Sequence, residues 1–441
     1  MKGYEKYVEV ESRWAKYIPE SWTFSNIAEV FIERKENNNP IKTMDILSLI
    51  NTRGVIPYKE KGNIGNKAKE DLTGYRLAYP GDIVFNSMNA VIGSVGLSKY
   101  FGAVSPVYYM LYLRDTVKNS VRYFDYVFQD KVFQNGLNGL GNGILEIRMR
   151  IPMSKLKYVG VPVPPRAEQD QIVRYLDWQV SKINRLIAAK RKEIDAIHDM
   201  EHLYIDHVFS EIANQKTIRL KYLVEQFVDC PHETPEYCKD GDYCVIRTAD
   251  QDYGYLRSET LMYRLTESEY TNRIRRAPLN AGDIVYGREG ERWGLACVIP
   301  ESEKFCLGQR IMQFVCNKQM VTPEYVMWAL NSSYVRNQGI LDTMGSTSPH
   351  VNISTIINFR IPYTSREHQH TLVSKIECTM QKYRQLCERI ENEIQLLHDL
   401  RTRLISDVVT GQIDVRGIEV PKHESVDDVV AESEVEELEV E

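Results

Sequence analysis

The chain has 441 residues, enough at about 150 residues per domain for two or three packed domains. Its 43% apolar and 10% aromatic content excludes disorder throughout, and 55 Lys and Arg against 61 Asp and Glu give a net charge of −6, which as an average argues against nucleic acid. The average conceals a division: Glu419 to Glu441 hold ten acids and one base, Lys422, whereas residues 1–165 carry 22 bases and 16 acids and residues 215–365 carry 17 and 18.

In chain order, residues 1–165 predict a first α+β head. Runs such as Asp82-Ile83-Val84-Phe85 and Val107 to Leu113 are rich in β-branched and aromatic residues and are bounded by Gly81 and Arg114-Asp115. A shorter helical pattern over Arg122 to Phe133 follows them. Pro164-Pro165 then leads into a long helix over 166–214. Residues 215–365 predict a second head of the same kind, with its helix over Pro323 to Asn331. Thr364-Ser365-Arg366-Glu367 offers a capping box for a second long helix over 366–411, and residues 412–441 form an acidic tail expected to be disordered.

The two halves repeat at an offset of about 200 residues, so the chain is a tandem duplication. Gly-Asp-Ile-Val-Phe at Gly81 recurs as Gly-Asp-Ile-Val-Tyr at Gly282, and Pro162, Arg166, Gln169, Val173, Ile194, His198, Asp199, Ile205 and Val208 recur 200 residues later. Along the long helices the apolar residues from Val180 and from Met380 step alternately by three and four, the a/d seam of a coiled coil. A small head cannot bury a seam of about forty residues, roughly 60 Å long, so the helices are expected to pack on each other. Antiparallel packing is expected, with Lys190 near Ile390 at the centre and Glu201 and Arg401 near opposite ends; a parallel pair would set Glu201 against Arg401.

Catalytic constellations are missing from the sequence. There is no Gly-Lys dipeptide for a phosphate-binding loop, no Asn/Asp-Pro-Pro-aromatic string of the amino-methyltransferases, and no Pro-Asp to open a nuclease site around Glu33 and Lys35. Gly139, Gly141 and Gly143 lack the strand before and the helix after that a dinucleotide fingerprint needs, and the strand-like Ile144 to Ile151 follows them instead. His198, Glu201 and His202 are in the wrong order for a zinc helix, and Cys230, His232, Cys238 and Cys244 match no common zinc spacing, so no metal ligand is assigned. All eight cysteines lie between Cys230 and Cys387 without a C-x-x-C pair, as expected of reduced thiols. The absence of an apolar run of about eighteen residues or of an apolar leader points to an unexported protein.

Two β-rich halves, each followed by a proline-containing lead-in and a long helix, resemble the specificity subunit of type I restriction-modification enzymes. The lead-in is Pro162-Val163-Pro164-Pro165-Arg166-Ala167-Glu168-Gln169; Leu176 to Ile197 is similar to that family's central helix, and Leu400 to Val415 to its distal end. The second lead-in, Pro362 to Gln369, departs from the Pro-Pro and Glu-Gln pattern but keeps Gln369. The resemblance covers about residues 20 to 416. It implies an α+β fold in which two target recognition domains are separated by two long conserved helices packed as an antiparallel coiled coil. It also implies a cytoplasmic, non-catalytic subunit. Each domain would read half of a bipartite double-stranded DNA site, the helices would set the gap, and modification (methyltransferase) and restriction (ATP-dependent translocase and nuclease) subunits would dock on them. No cofactor is then expected in this chain; S-adenosylmethionine, ATP and Mg belong with the partners. The competing reading is a coiled-coil protein-interaction scaffold that does not touch DNA.

Direct readout needs polar or basic side chains at base edges, with further contacts to phosphates. Loops beside the two Gly-Asp-Ile-Val strands supply Asn86, Ser87, Asn89, Ser94 and Lys99 in the first copy and Arg288, Glu289, Arg292, Trp293, Gln309 and Arg310 in the second. A second loop before each lead-in supplies Asn138, Asn142, Arg148 and Arg150, and, in the other copy, Thr347, Ser348 and His350. Arg273, Arg275 and Arg276 read as phosphate contacts or surface charge.

Overall fold

The computed structural model describes residues 2–51, 54–62, 67–141, 150–231, 233–276, 278–290, 292–300, 304–344 and 349–423. The chain divides into two compact units, one of residues 1–191 with 391–441 and the other of residues 192–390. Each unit therefore combines one head with half of each long helix.

In the first unit the chain runs β1 (Tyr7–Glu9), β2 (Tyr17–Pro19), β3 (Thr23–Asn26), α1 (Ile27–Val30), β4 (Phe31–Arg34), the hairpin β5 (Leu47–Ile50) and β6 (Gly54–Pro57), β7 (Arg76–Ala78), β8 (Ile83–Asn86), β9 (Val95–Leu97), β10 (Gly102–Val104) and β11 (Tyr108–Leu113). Helices α2 (Val121–Gln129), α3 (Lys131–Gly136) and α4 (Met153–Leu156) and strand β12 (Gly160–Val163) then lead into α5 (Arg166–Ala213). The helical pattern over Arg122 to Phe133 is broken at Asp130, which leaves the helical region and caps α3 by accepting from the Val132 amide at 3.1 Å. The central sheet is antiparallel in the order β4-β11-β8-β9, and its apolar face packs on α2 through Phe31, Phe85, Phe124 and Phe128. The expected strands at Asp82 and Val107 are β8 and β11, while the stretch expected at Ile144 lies almost wholly outside the described residues.

The second unit repeats this plan. Strands β13 (Thr217–Arg219), β14 (Val224–Asp229), β15 (Tyr243–Ile246) and β16 (Arg264–Leu265) precede α6 (Glu267–Arg273), β17 (Ile284–Gly287), β18 (Ala296–Val298), β19 (Phe305–Leu307) and β20 (Ile311–Cys316). Then come α7 (Pro323–Asn331), α8 (Ser333–Arg336), α9 (Ile340–Thr343), α10 (Ile353–Ile356), β21 (Arg360–Pro362) and α11 (Arg366–Val409). The sheet order β14-β20-β17-β18 matches β4-β11-β8-β9, and the pair β13-β21 matches β3-β12. A side sheet, β16-β15-β19, has no matching three-stranded sheet among the described residues of the first head; its parallel pairing, β15 with β19, has an echo there in the parallel bridge between Ile46 and Ala103. It packs Cys244, Ile246, Phe305 and Leu307 into a core of its own with Cys230 and Cys297. Burial pushes the Cys306 and Cys316 thiols up to about 12, which keeps them protonated and unreactive.

The two long helices run antiparallel against each other. In the first unit Arg401 donates to Asn184 at 3.0 Å and Lys190 pairs with Glu393 at 2.9 Å, so residues advance along one helix as they retreat along the other. In the second unit Ile205 and Phe209 of α5 share a core with Ile376 and Met380 of α11. The expected polar residue at the centre, Lys190, is thus accommodated by an ion pair at the edge of the seam. Two local expectations change. The second long helix begins at Arg366, so Ser365 caps it, accepting from His368 at 3.4 Å, and Glu367 falls one position short of completing a capping box. Part of the expected tail is packed: Val415 is buried in the first core with Ile413, Ile418 and Val420 against it, Gln171 donates to the carbonyls of Val415 and Ile418, and Arg416 lies over the Tyr4 ring. The acidic stretch from 424 onward lies outside the described residues.

Candidate nucleic-acid interface

The lead-in motifs fasten each head to its helix. Gln169 is fully buried; its Oε1 accepts from the Ser120 amide at 2.8 Å and its Nε2 donates to the carbonyls of Pro164 and Lys118 at 2.8 and 3.2 Å. Gln369 repeats this set with Thr322, Thr364 and Met320 at 3.1, 2.9 and 3.3 Å. Tyr123 and Tyr325 donate their hydroxyls to Pro162 and Pro362 at 3.1 and 3.0 Å. The surface loops are therefore presented from heads held rigidly on their own helix halves.

In the first head the turn at Gly81 has a left-handed backbone, φ 92°, and Asp82 accepts from the Tyr79 amide at 3.0 Å and from the Arg34 guanidinium at 2.8 and 3.0 Å. Arg34 is sandwiched between the rings of Tyr79 and Tyr112, 4.5 and 4.6 Å away. Of the residues beyond β8, Asn86, Ser87 and Ser94 are buried. Asn86 accepts from the Met88 amide at 3.0 Å and its side chain meets Ser94 Oγ at 3.4 Å, while Ser87 donates to the Val107 carbonyl at 2.7 Å. These three hold the turn. Asn89 is half-buried and makes no side-chain hydrogen bond among the described residues. Lys99 and Arg150 are exposed, as is Asn138, whose carbonyl accepts from Arg13 at 3.1 Å; Asn142 and Arg148 lie outside the described residues. Sequence reasoning passed over Lys59, Lys67 and Lys69, which are exposed after β6 and visible beforehand as a run of closely spaced lysines.

In the second head Arg288, the counterpart of Ser87, is buried. It donates to Glu289 at 2.6 Å, lies 3.7 Å from Asp229, and leaves its Nε without a partner. Glu289 also pairs with His350 at 3.1 Å, drawing the two candidate loops together. Arg292 donates to the Gln251 carbonyl at 2.6 Å, Trp293 is buried beneath Arg336, and Gln309 donates to Thr234 at 3.1 Å. Arg310 is exposed, and Thr347 and Ser348 lie outside the described residues. Arg273 proves to be a buried strut, donating to the carbonyls of Leu307 and Glu233, whereas Arg275 and Arg276 are exposed.

No group of His, Cys, Asp and Glu that could hold a metal occurs among the described residues, and no described helix is long and apolar enough to cross a membrane. The arrangement offers polar and basic side chains on two rigid, related frames.

Comparison with known proteins accords with that layout. The model of the type I restriction modification DNA specificity domain matches residues 19–196 and again residues 229–396. The MjaVIII specificity subunit of a type I restriction enzyme from Methanocaldococcus jannaschii is 21% identical over 63% of this chain and 67% of its own length. A putative MjaX specificity subunit from the same organism is 20% identical over 90% of this chain and 95% of its own. In fold, the chain is similar to one from a type I R-M system solved to explain complex assembly and conformational transition, with a TM-score of 0.61, 13% identity, and coverage of 90% of this chain and 99% of that one. With two specificity domains matched over most of its length, the chain belongs to the type I restriction-modification specificity-subunit family.

Proposed function

We propose that this chain selects the DNA sequence for a type I restriction-modification complex, each head reading one half of a bipartite site and the paired helices fixing the gap between the halves. The observation that carries this is the duplication itself: two heads with the same sheet order and the same glutamine clasp, joined by long helices of matching length. A spacer built from helices of 48 and 44 residues is stiff, and two readers on a stiff spacer accept half-sites at only one separation. The chain itself performs no chemistry in this reading. Modification and restriction subunits bring S-adenosylmethionine, ATP and Mg, and the complex works in the cytoplasm on chromosomal DNA.

Partner docking falls to exposed apolar residues beside the helix seam: Leu186, Leu396 and Leu400 in the first unit, and Met200, Leu203 and Leu386 in the second. Leu186 and Leu386, and Met200 and Leu400, are related by the 200-residue repeat, and all four take the g position flanking the seam. Two equivalent apolar patches suit two copies of one partner, the modification subunit.

The test is to express the chain with its modification subunits and sequence the methylated DNA. A motif of two short specific blocks separated by a fixed number of unspecified bases is expected. Methylation at a single undivided motif, or without sequence preference, overturns the reading.

A further inference from the structure

Arg310 is the one residue other than glycine with a left-handed backbone among the described residues, φ 69°. That conformation is disfavoured for any residue bearing a Cβ, and it persists where the surroundings enforce it. Here they do: the Arg310 carbonyl accepts from the Arg288 amide at 2.9 Å, and the Arg288 carbonyl in turn accepts from Val351 at 3.1 Å. The side chain so positioned is exposed and makes no hydrogen bond or ion pair among the described residues. Its Nη1 reaches back to the turn after β17, 3.7 Å from where a Cβ on Gly290 would stand.

A second arginine meets the same turn four residues on. Gly294 has φ 88°, and a Cβ there would stand 2.9 Å from Arg336 Nε, so a glycine is what allows the guanidinium to lie against the backbone. Arg336 is half-buried, with its guanidinium 5.1 Å from the Trp293 ring centre, and it pairs with no carboxylate among the described residues. The other two arginines of the turn are already engaged, Arg288 by Glu289 and Asp229 and Arg292 by the Gln251 carbonyl. Two guanidinium groups that pair with no carboxylate among the described residues thus converge on one turn. At the equivalent turn of the first head Gly93 has φ 96°, and a Cβ there would stand 3.0 Å from Oε1 of Gln134, the buried counterpart of Arg336, and 3.1 Å from Lys131 Nζ, so one ammonium meets that turn where the second head brings two guanidinium groups.

Resting on the DNA-reading function above, we propose that this turn is where the second head grips its half-site, Arg310 reading a guanine edge in the major groove and Arg336 holding a backbone phosphate. The enforced backbone fixes the direction in which the Arg310 side chain leaves the turn, and its planar fork suits bidentate contact with guanine O6 and N7. A half-buried guanidinium over an indole ring, with no carboxylate partner among the described residues, has limited reach and suits a phosphate pressed against the turn.

The test uses the full chain with its modification subunits and a pool of duplexes carrying randomised half-sites, with the bound fraction sequenced. The wild type is expected to select guanine at one position of one half-site. In Arg310→Gly the backbone strain is relieved, so the thermal midpoint holds or rises while the guanine preference falls on the order of ten-fold and the other half-site is read as before. Arg310→Lys keeps the charge and also loses the preference. Arg336→Gln, which installs the first head's residue, weakens binding to every sequence and lowers the slope of log affinity against log salt by about 0.9, with preferences unchanged. Intact preferences in both Arg310 variants, or an unchanged salt slope in Arg336→Gln, overturn the assignment while the bipartite function stands. A wild-type complex that selects no bipartite site overturns both.

Discussion

At the scale of single residues, the repeat preserves a need while changing the residue that meets it. Asp82 and Asp283 occupy the same place in the two Gly-Asp-Ile-Val turns, both nearly buried, and a buried carboxylate requires donors. Asp82 finds them in Arg34 of β4, reaching across β11; Asp283 finds one in Gln313 of β20, at 2.7 Å. Strand register makes Met110 the counterpart of Gln313 and Arg34 the counterpart of Val228, so polar and apolar residues have exchanged places on adjacent strands. Removing the carboxylate has unequal consequences. Asp82→Ala leaves a guanidinium held between two rings with no counter-ion and is expected to cost about 2–3 kcal/mol, reduced from the fully buried case because Arg34 keeps some solvent contact. Asp283→Asn retains an acceptor for a neutral partner and is expected to cost about 1 kcal/mol. Thermal or urea denaturation of the two variants measures both, and equal losses would show that the ion pair adds nothing beyond a hydrogen bond. The same scale shows where sequence reading stops. Asn86, Ser87 and Arg288 carry the chemistry of base readers, and only the turn geometry reveals that their side chains face inward. Arg336 was hidden because its significance depends on Gly294, forty-two positions away.

At the scale of elements, the most legible features were those with a period. Alternate steps of three and four gave the seam; the polar residues in it offered a check on the expected antiparallel packing, which the contacts of Arg401 with Asn184 and of Lys190 with Glu393 bear out. The lead-in motif was legible as a recurrence but not as a mechanism. Gln169 sits at the first turn of α5 with all its hydrogen-bonding capacity directed at the loop before α2 and at the chain entering the helix. A head held only by apolar contacts could slide or rotate on a smooth helix; three directional bonds to fixed backbone groups suppress that motion. Gln169→Ala leaves the Ser120 amide and the Pro164 and Lys118 carbonyls without their partner and is expected to cost about 2–4 kcal/mol. Faster hydrogen exchange at the Ser120 amide should accompany the loss, and Gln369→Ala should act likewise at Thr322. Unchanged exchange at both amides would mean that the glutamines are not the fastening.

At the scale of the whole molecule, the negative net charge belongs to the acidic tail, and what remains is a basic first head and a nearly neutral second one. In the proposed reading counterion release weighs unequally on the two heads, the second depending more on placed guanidinium groups or on partner subunits that complete the grip. Such dependence makes the helix-borne apolar patches central. Leu186 stands one residue before the seam position Ile187, and Leu400 one before Arg401; the register set by Asn184 and Arg401 puts the two exposed leucines at neighbouring levels of the helix pair in the first unit. The duplication gives the second unit Leu386 and Met200 in the equivalent places. A carboxylate introduced at these exposed sites leaves the seam intact while opposing burial under a partner. Leu186→Glu with Leu400→Glu is therefore expected to remove one modification subunit, Met200→Glu with Leu386→Glu the other, and all four together both. The mass of the assembled complex reports each outcome. If the fourfold variant still carries two modification subunits, docking lies elsewhere; if each pair removes both, the two patches are coupled and do not act as independent copies of one site.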